Sequence, residues 1–131
     1  MDYAKSIQID LDYQEAVAQV KAAFKEQGFG TLTEIDMKAT LKEKIGAEIE
    51  DYVILGTCNP DLANRALAAE KNIGLLLPCS VIVRREGSFT TVTALDPQII
   101  ASVPNNPSLE PIAQEAGTRI QAALDKINST Y

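Results

Sequence analysis

Residues 52–96, YVILGTCNPDLANRALAAEKNIGLLLPCSVIVRREGSFTTVTALD, contain both cysteines, the longest apolar runs and the clearest turn signals of the chain. Tyr52 to Leu55 is an unbroken apolar run closed by Gly56, which reads as a strand covered on both faces. Thr57-Cys58-Asn59-Pro60-Asp61 follows. Asn59 is suited to cap a helix that starts at Pro60, because proline there gives up an amide hydrogen that would have no partner anyway. Leu62, Ala63, Ala66 and Leu67 then fall on one helical face. After Asn72 and Gly74, the run Leu75-Leu76-Leu77-Pro78-Cys79 leads into a hairpin. Val81 and Val83 alternate with Ile82 and Arg84, Glu86-Gly87 makes the turn, and Phe89 to Leu95 returns. Gly87 supplies the positive φ that a tight turn requires.

On the N-terminal side, Tyr3 to Leu11 alternates Ile7, Ile9 and Leu11 with Ser6, Gln8 and Asp10, the pattern of a half-buried strand. Asp12 with Glu15 three positions later is a helix-capping signature. Tyr13, Val17, Val20 and Phe24 line one face of the helix it opens, and Gly28 stops it. Phe29 to Asp36 reads as a second strand; Met37, Leu41 and Ile45 read as one face of a short helix ending near Gly46. Glu48 to Asp51 is an acidic connection into the central strand.

Beyond the hairpin, Asp96-Pro97 breaks the strand, Gln98 to Val103 makes a helical turn, and Pro104 to Pro107 is a loop. The closing helix carries Leu109, Ile112, Ala116, Ile120, Ala123 and Ile127 at core spacing. The chain has no internal repeat or linker, so residues 1–131 form one domain. The expected class is α+β: a single sheet of about five strands with helices packed mainly on one face.

Composition excludes several functions. The net charge is -6 and the basic residues are scattered, so nucleic acid and anionic membrane surfaces are poor partners. No span is long and apolar enough to cross a membrane, and MDYAKSIQID does not read as a signal peptide, which points to the cytoplasm. With no histidine, a Ser-His-Asp triad, a Cys-His dyad and a histidine-ligated metal are ruled out. Neither a Walker loop nor a GxGxxG turn is present. Two cysteines are too few to close a structural zinc site within one chain, although two chains together supply four thiolates.

The remaining chemistry centres on Cys58 and Cys79. Cys58 precedes a helix N-terminus, where amides and dipole favour anions. If Cys58 ends one strand and Cys79 begins its neighbour, the thiols meet at one end of the sheet. The plainer reading makes both cysteines small buried hydrophobes and Asn59 only a helix cap. Asp36 and Asp96 both end strands and would form an acid–base pair if they shared an edge; more simply, one caps a helix and the other precedes a turn proline. Arg84 and Arg85 point to opposite faces of their strand, and the inward one needs a carboxylate or an anion.

Taken together, ILGTCNPDLANRAL, IGLLLPCSVIVRREG and TALDP resemble a small prokaryotic family known only as domain of unknown function 302. The shared features are Cys58-Asn59-Pro60 before a helix, Ile73 to Cys79 running into a hairpin, and Asp96-Pro97. EIDMKATLKEKIG, with Asp36, Lys42 and Lys44, is similar to the family's middle portion. Ser80 stands where the family pattern leads us to expect asparagine. The resemblance implies a compact α+β homodimer, names no reaction, and favours Cys58 and Cys79 belonging to one site.

Three expectations follow. In the first, a dimeric binding module holds a small anionic or thiol-reactive ligand near Cys58, Asn59, Cys79 and Ser80. In the second, a redox or sulfur-handling enzyme uses Cys58 to attack and Cys79 to resolve. In the third, the motif serves packing and dimerisation alone.

Overall fold

The computed structural model describes residues 2–131. One antiparallel sheet of five strands organises it: β1 (Ala4–Ile9), β2 (Gly30–Asp36), β3 (Tyr52–Cys58), β4 (Cys79–Glu86) and β5 (Phe89–Leu95), in the order β1-β5-β4-β3-β2. Helix α1 (Tyr13–Glu26) links β1 to β2, and α2 (Met37–Ile45) links β2 to β3. Helix α3 (Pro60–Ala69) and a 3-10 segment (Lys71–Leu76) link β3 to β4; the short α4 (Ile99–Ser102) and the long α5 (Glu110–Thr130) end the chain. The α+β reading holds: a single sheet carries helices on one face.

Local chemistry sets the element ends. Asp12 caps α1 by accepting a hydrogen bond from the Glu15 amide at 2.8 Å. Asp36 caps α2 through the Ala39 amide at 2.9 Å. Gly28, at φ +87°, turns the chain from α1 into β2, a conformation costly for any side chain. The β4–β5 turn is Gly87-Ser88, with Glu86 opposite Phe89 and Gly87 at φ +60°, one position later than the sequence suggests.

The core lies between the sheet and helices α1, α3 and α5. Val53 and Leu55 of β3, Val81 and Val83 of β4, and Val92 and Ala94 of β5 are at most 3% exposed. Phe24 and Val20 from α1, and Ile112, Ile120 and Ile127 from α5, meet them. Phe24 and Phe29 pack edge to face at 6.3 Å. Every residue assigned to the core face of the last helix is buried.

Several expectations require correction. The apolar run of β3 is not covered on both faces: Val53 and Leu55 are buried, but Tyr52 and Ile54 are only half-buried. Of the outer side chains, Ile54 lies between Ile35 and Ile82 of the adjacent strands, and Tyr52 lies opposite Arg84. The face of α2 buries nothing, and Ile45 is 74% exposed. Asp36 and Asp96 share no edge, because β3 and β4 lie between β2 and β5. Arg85 has no carboxylate partner among the described residues; it donates to the carbonyls of Leu11 and Gly87 and to the Thr90 hydroxyl.

Candidate functional site

Strand pairing brings the two cysteine motifs together. Cys58 is the last residue of β3 and Cys79 the first of β4; Thr57 lies directly opposite Cys79. The buried Thr57 hydroxyl donates to the Cys79 carbonyl at 2.8 Å, tying the strand ends where the chain leaves the sheet. Asn59 Oδ1 accepts from the Leu62 amide at 3.2 Å, so the capping role read from the sequence holds. Its Nδ2 lies over Gly28, 2.8 Å from where a β-carbon would stand. The β3–α3 corner is thus seated directly on the α1–β2 corner.

Beside these corners is a cavity of about 310 Å³, near the lower end of the usual range for ligand pockets. Leu62, Ala63 and Ala66 of α3 form one wall, Ile112 and Ala116 of α5 another, and Phe29, Leu77, Pro78 and Ile100 close the rest. Thr57, Cys58, Asn59 and Cys79 sit at the strand ends that line it. The alanines are what make room, since larger side chains at Ala63, Ala66 and Ala116 would fill the space. No lysine, arginine, aspartate or glutamate lines it.

Edge strand β2 contributes Leu32 and Thr33. The β2–β3 register shifts between Thr31 and Thr33, and the extra residue is Leu32, 67% exposed at the rim. Neither residue is evident as a site residue from the motifs. The one available signal is that Leu32 and Ile35 are three apart where strict strand alternation demands two. Ser80 is placed differently: it pairs with Gly56 on the opposite face of the sheet and is not part of the cavity wall.

The two thiols differ. Cys58 is half-buried, whereas Cys79 is buried. Burial, with a smaller effect from neighbouring Cys58, pushes the Cys79 thiol up to about 11. At neutral pH only roughly one Cys79 in ten thousand is then thiolate, which suits a wall residue and not an attacking group. Both cysteines are free. Among the described residues no cluster of three or more potential metal ligands occurs, and no helix is long and apolar enough to cross a membrane.

Comparison with known proteins agrees with this architecture. The chain is 28% identical to an uncharacterised conserved DUF302 protein from Bacillus stearothermophilus, whose crystal structure superposes with a TM-score of 0.89 over 95% of this chain and 98% of that one. No curated protein matches it. The family model described as Domain of unknown function DUF302 matches residues 5–127. The chain therefore belongs to the DUF302 family.

Proposed function

We propose that the protein is a homodimeric binding module that holds a small, uncharged and mainly apolar molecule in the cavity bounded by Cys58, Asn59 and Cys79. The observation that carries this reading is the cavity itself: about 310 Å³, walled by aliphatic side chains, with a half-buried thiol among its lining residues. The driving force for occupancy is removal of apolar surface from water, at roughly 25 cal/mol per Å². Of the two ligand classes expected from the sequence, the anionic one loses support because no cationic side chain faces the space. A thiol-reactive molecule remains compatible through Cys58. Ser80, on the far face, has no part in it.

The redox alternative is weaker. A resolving cysteine must attack as thiolate, and burial holds Cys79 protonated. Two free thiols suit a reducing compartment, which favours the cytoplasm.

The test is titration with the uncharged fluorophore N-phenyl-1-naphthylamine, alongside the rate of Cys58 alkylation by N-ethylmaleimide. Saturable fluorescence enhancement is expected, with Cys58 alkylation slowed when the probe is bound. Ala63→Trp, which fills the space from a half-buried position, should abolish both effects and leave the circular dichroism spectrum unchanged. Absence of saturable binding by the wild-type protein would overturn the reading and leave the motif a packing device.

A further inference from the structure

The sheet has a second face, and it is built to be covered. From Tyr52 to Gly56 on β3 and from Ser80 to Glu86 on β4, the even-numbered residues point away from the helices, and they are half-buried apart from the buried Gly56. In register across this outer face run Ile35, Ile54 and Ile82, continued by Thr93 and Ser6. Three β-branched apolar side chains thus stand side by side on adjacent strands, and Ile35 remains 45% exposed. Tyr52 extends the apolar surface in the row beside them.

We infer that a second copy of this chain covers the outer face, packing sheet against sheet about a twofold axis near Ile82. The inference rests on the homodimer reading above and assigns its surface. Two observations select the occupant. The first is charge. The chain carries -6 overall, yet the outward positions of the five strands hold just Arg84 and Glu86, paired to each other at 3.3 Å. Thr91 donates to Glu86 at 2.7 Å, satisfying that carboxylate further. This face is therefore the neutral part of an acidic protein. Two like-charged copies meet there without repulsion, while a basic partner would be drawn elsewhere.

The second observation is size. Five strands about 4.8 Å apart, with about seven residues each at about 3.3 Å, span roughly 24 by 23 Å. With pleat and side-chain relief counted, that footprint is comparable to the roughly 800 Å² that each partner gives to a standard interface. Two such faces stack about 10 Å apart, either nearly aligned or orthogonal. β4 is the middle strand of the five, so an axis near Ile82 superposes the two faces most completely. Gly56, with Thr33 and Pro78 against it, belongs to this face near the cavity end, so the interface runs up to the cavity's rim.

The experiment is sedimentation equilibrium of the full chain across a dilution series, comparing wild type with Ile82→Arg, Thr93→Arg and the off-face control Gln114→Arg. Wild type and Gln114→Arg are expected at twice the 14.2 kDa chain mass. Ile82→Arg and Thr93→Arg should weaken dimerisation by about thirtyfold or more, as expected at a central interface position. Thr93→Arg keeps the test valid if Ile82→Arg folds poorly, because Thr93 is an already polar, half-buried site. A monomeric wild type overturns both the homodimer reading and this inference. Full dimer in a folded Thr93→Arg or Ile82→Arg protein overturns the assignment of the face alone. Probe binding by a monomeric Ile82→Arg protein reports on the cavity independently.

Discussion

The two faces of the sheet are made from the same strands by alternate residues, yet they belong to different environments. Val53, Leu55, Val81, Val83, Val92 and Ala94 are sealed under helices, while Ile54, Ile82 and Thr93 on the reverse remain partly open. Hydrophobicity alone does not distinguish them, since isoleucine occurs on the open side and the buried Thr57 and Thr90 occur on the covered side. What separates them is the supply of helices. α1 and α5 pack together on one face, and α2 buries no residue of its own.

Neighbours in β3 provide the sharpest test of this difference. Leu55→Ala should cost about 2–5 kcal/mol in urea unfolding, because it opens a void at a fully buried core position. Ile54→Ala, one residue away, should cost under about 1 kcal/mol when measured on dilute monomer, since its side chain is already partly in water. Equal losses would show that the outer face is as tightly packed as the inner.

Gly56 tests how close the two regions come at the cavity end. A β-carbon there would stand 2.3 Å from Thr33 Oγ1 and 2.9 Å from Pro78 Cγ. Gly56→Ala should destabilise the protein by about 1–3 kcal/mol through overpacking. Adding Thr33→Ala should recover part of that loss, a non-additivity visible in a double-mutant cycle. Strict additivity would mean that the contact does not matter.

Cys79 marks the covered side by its titration. Its folded pKa, about 11, lies above the 9.0 of an unperturbed thiol, so the folded state keeps a proton that the unfolded chain releases. The stabilisation is fully present below pH 9 and is lost as pH rises from about 9 to about 11, on the order of 1–2 kcal/mol. Tyr13, raised to about 12 by burial first and by nearby acidic groups, adds a loss of the same sign above pH 10. In Cys79→Ala the stability decline between pH 9 and 11 should flatten; an unchanged slope would remove Cys79 from the covered side.

The smallest expected effect is at the helix cap. Asn59→Ala should cost about 1 kcal/mol by leaving the Leu62 amide without its acceptor, and Asn59→Asp should retain most of the cap. Thermal melting distinguishes these outcomes.

Much of this was legible in the sequence because local rules decided it. Asp12, Asp36 and Asn59 cap the helices they precede, and alternation in β4 matches its burial. Placing Cys58 and Cys79 at adjoining strand ends needed only the expectation that β3 and β4 are neighbours. The cavity itself was not legible. It depends on Leu32 displaced by a bulge, on Ile100 and Ile112 arriving from the far end of the chain, and on the absence of a large side chain at Ala63, Ala66 and Ala116. Local patterns do not encode what is missing between elements, and so the void emerged only in three dimensions. The β3 reading failed for a related reason: an apolar run signals low polarity on both sides but does not say whether helix or solvent meets each side.

The strand order has a consequence for how the protein is made. β1 precedes the other four strands in the chain, but among the described residues it pairs with β5 alone, with Ala4 opposite Leu95 and the Tyr3 carbonyl accepting from the Asp96 amide. Roughly ninety residues separate them, and at translation speeds of about 5–20 residues per second the first strand waits on the order of 5 to 20 s for its partner. A nascent chain ending before the hairpin returns therefore carries an amphipathic strand with an unsatisfied backbone. Pairing of β1 waits on the second strand of the hairpin, so of the five strands the one that leaves the ribosome first is among the last to find its place.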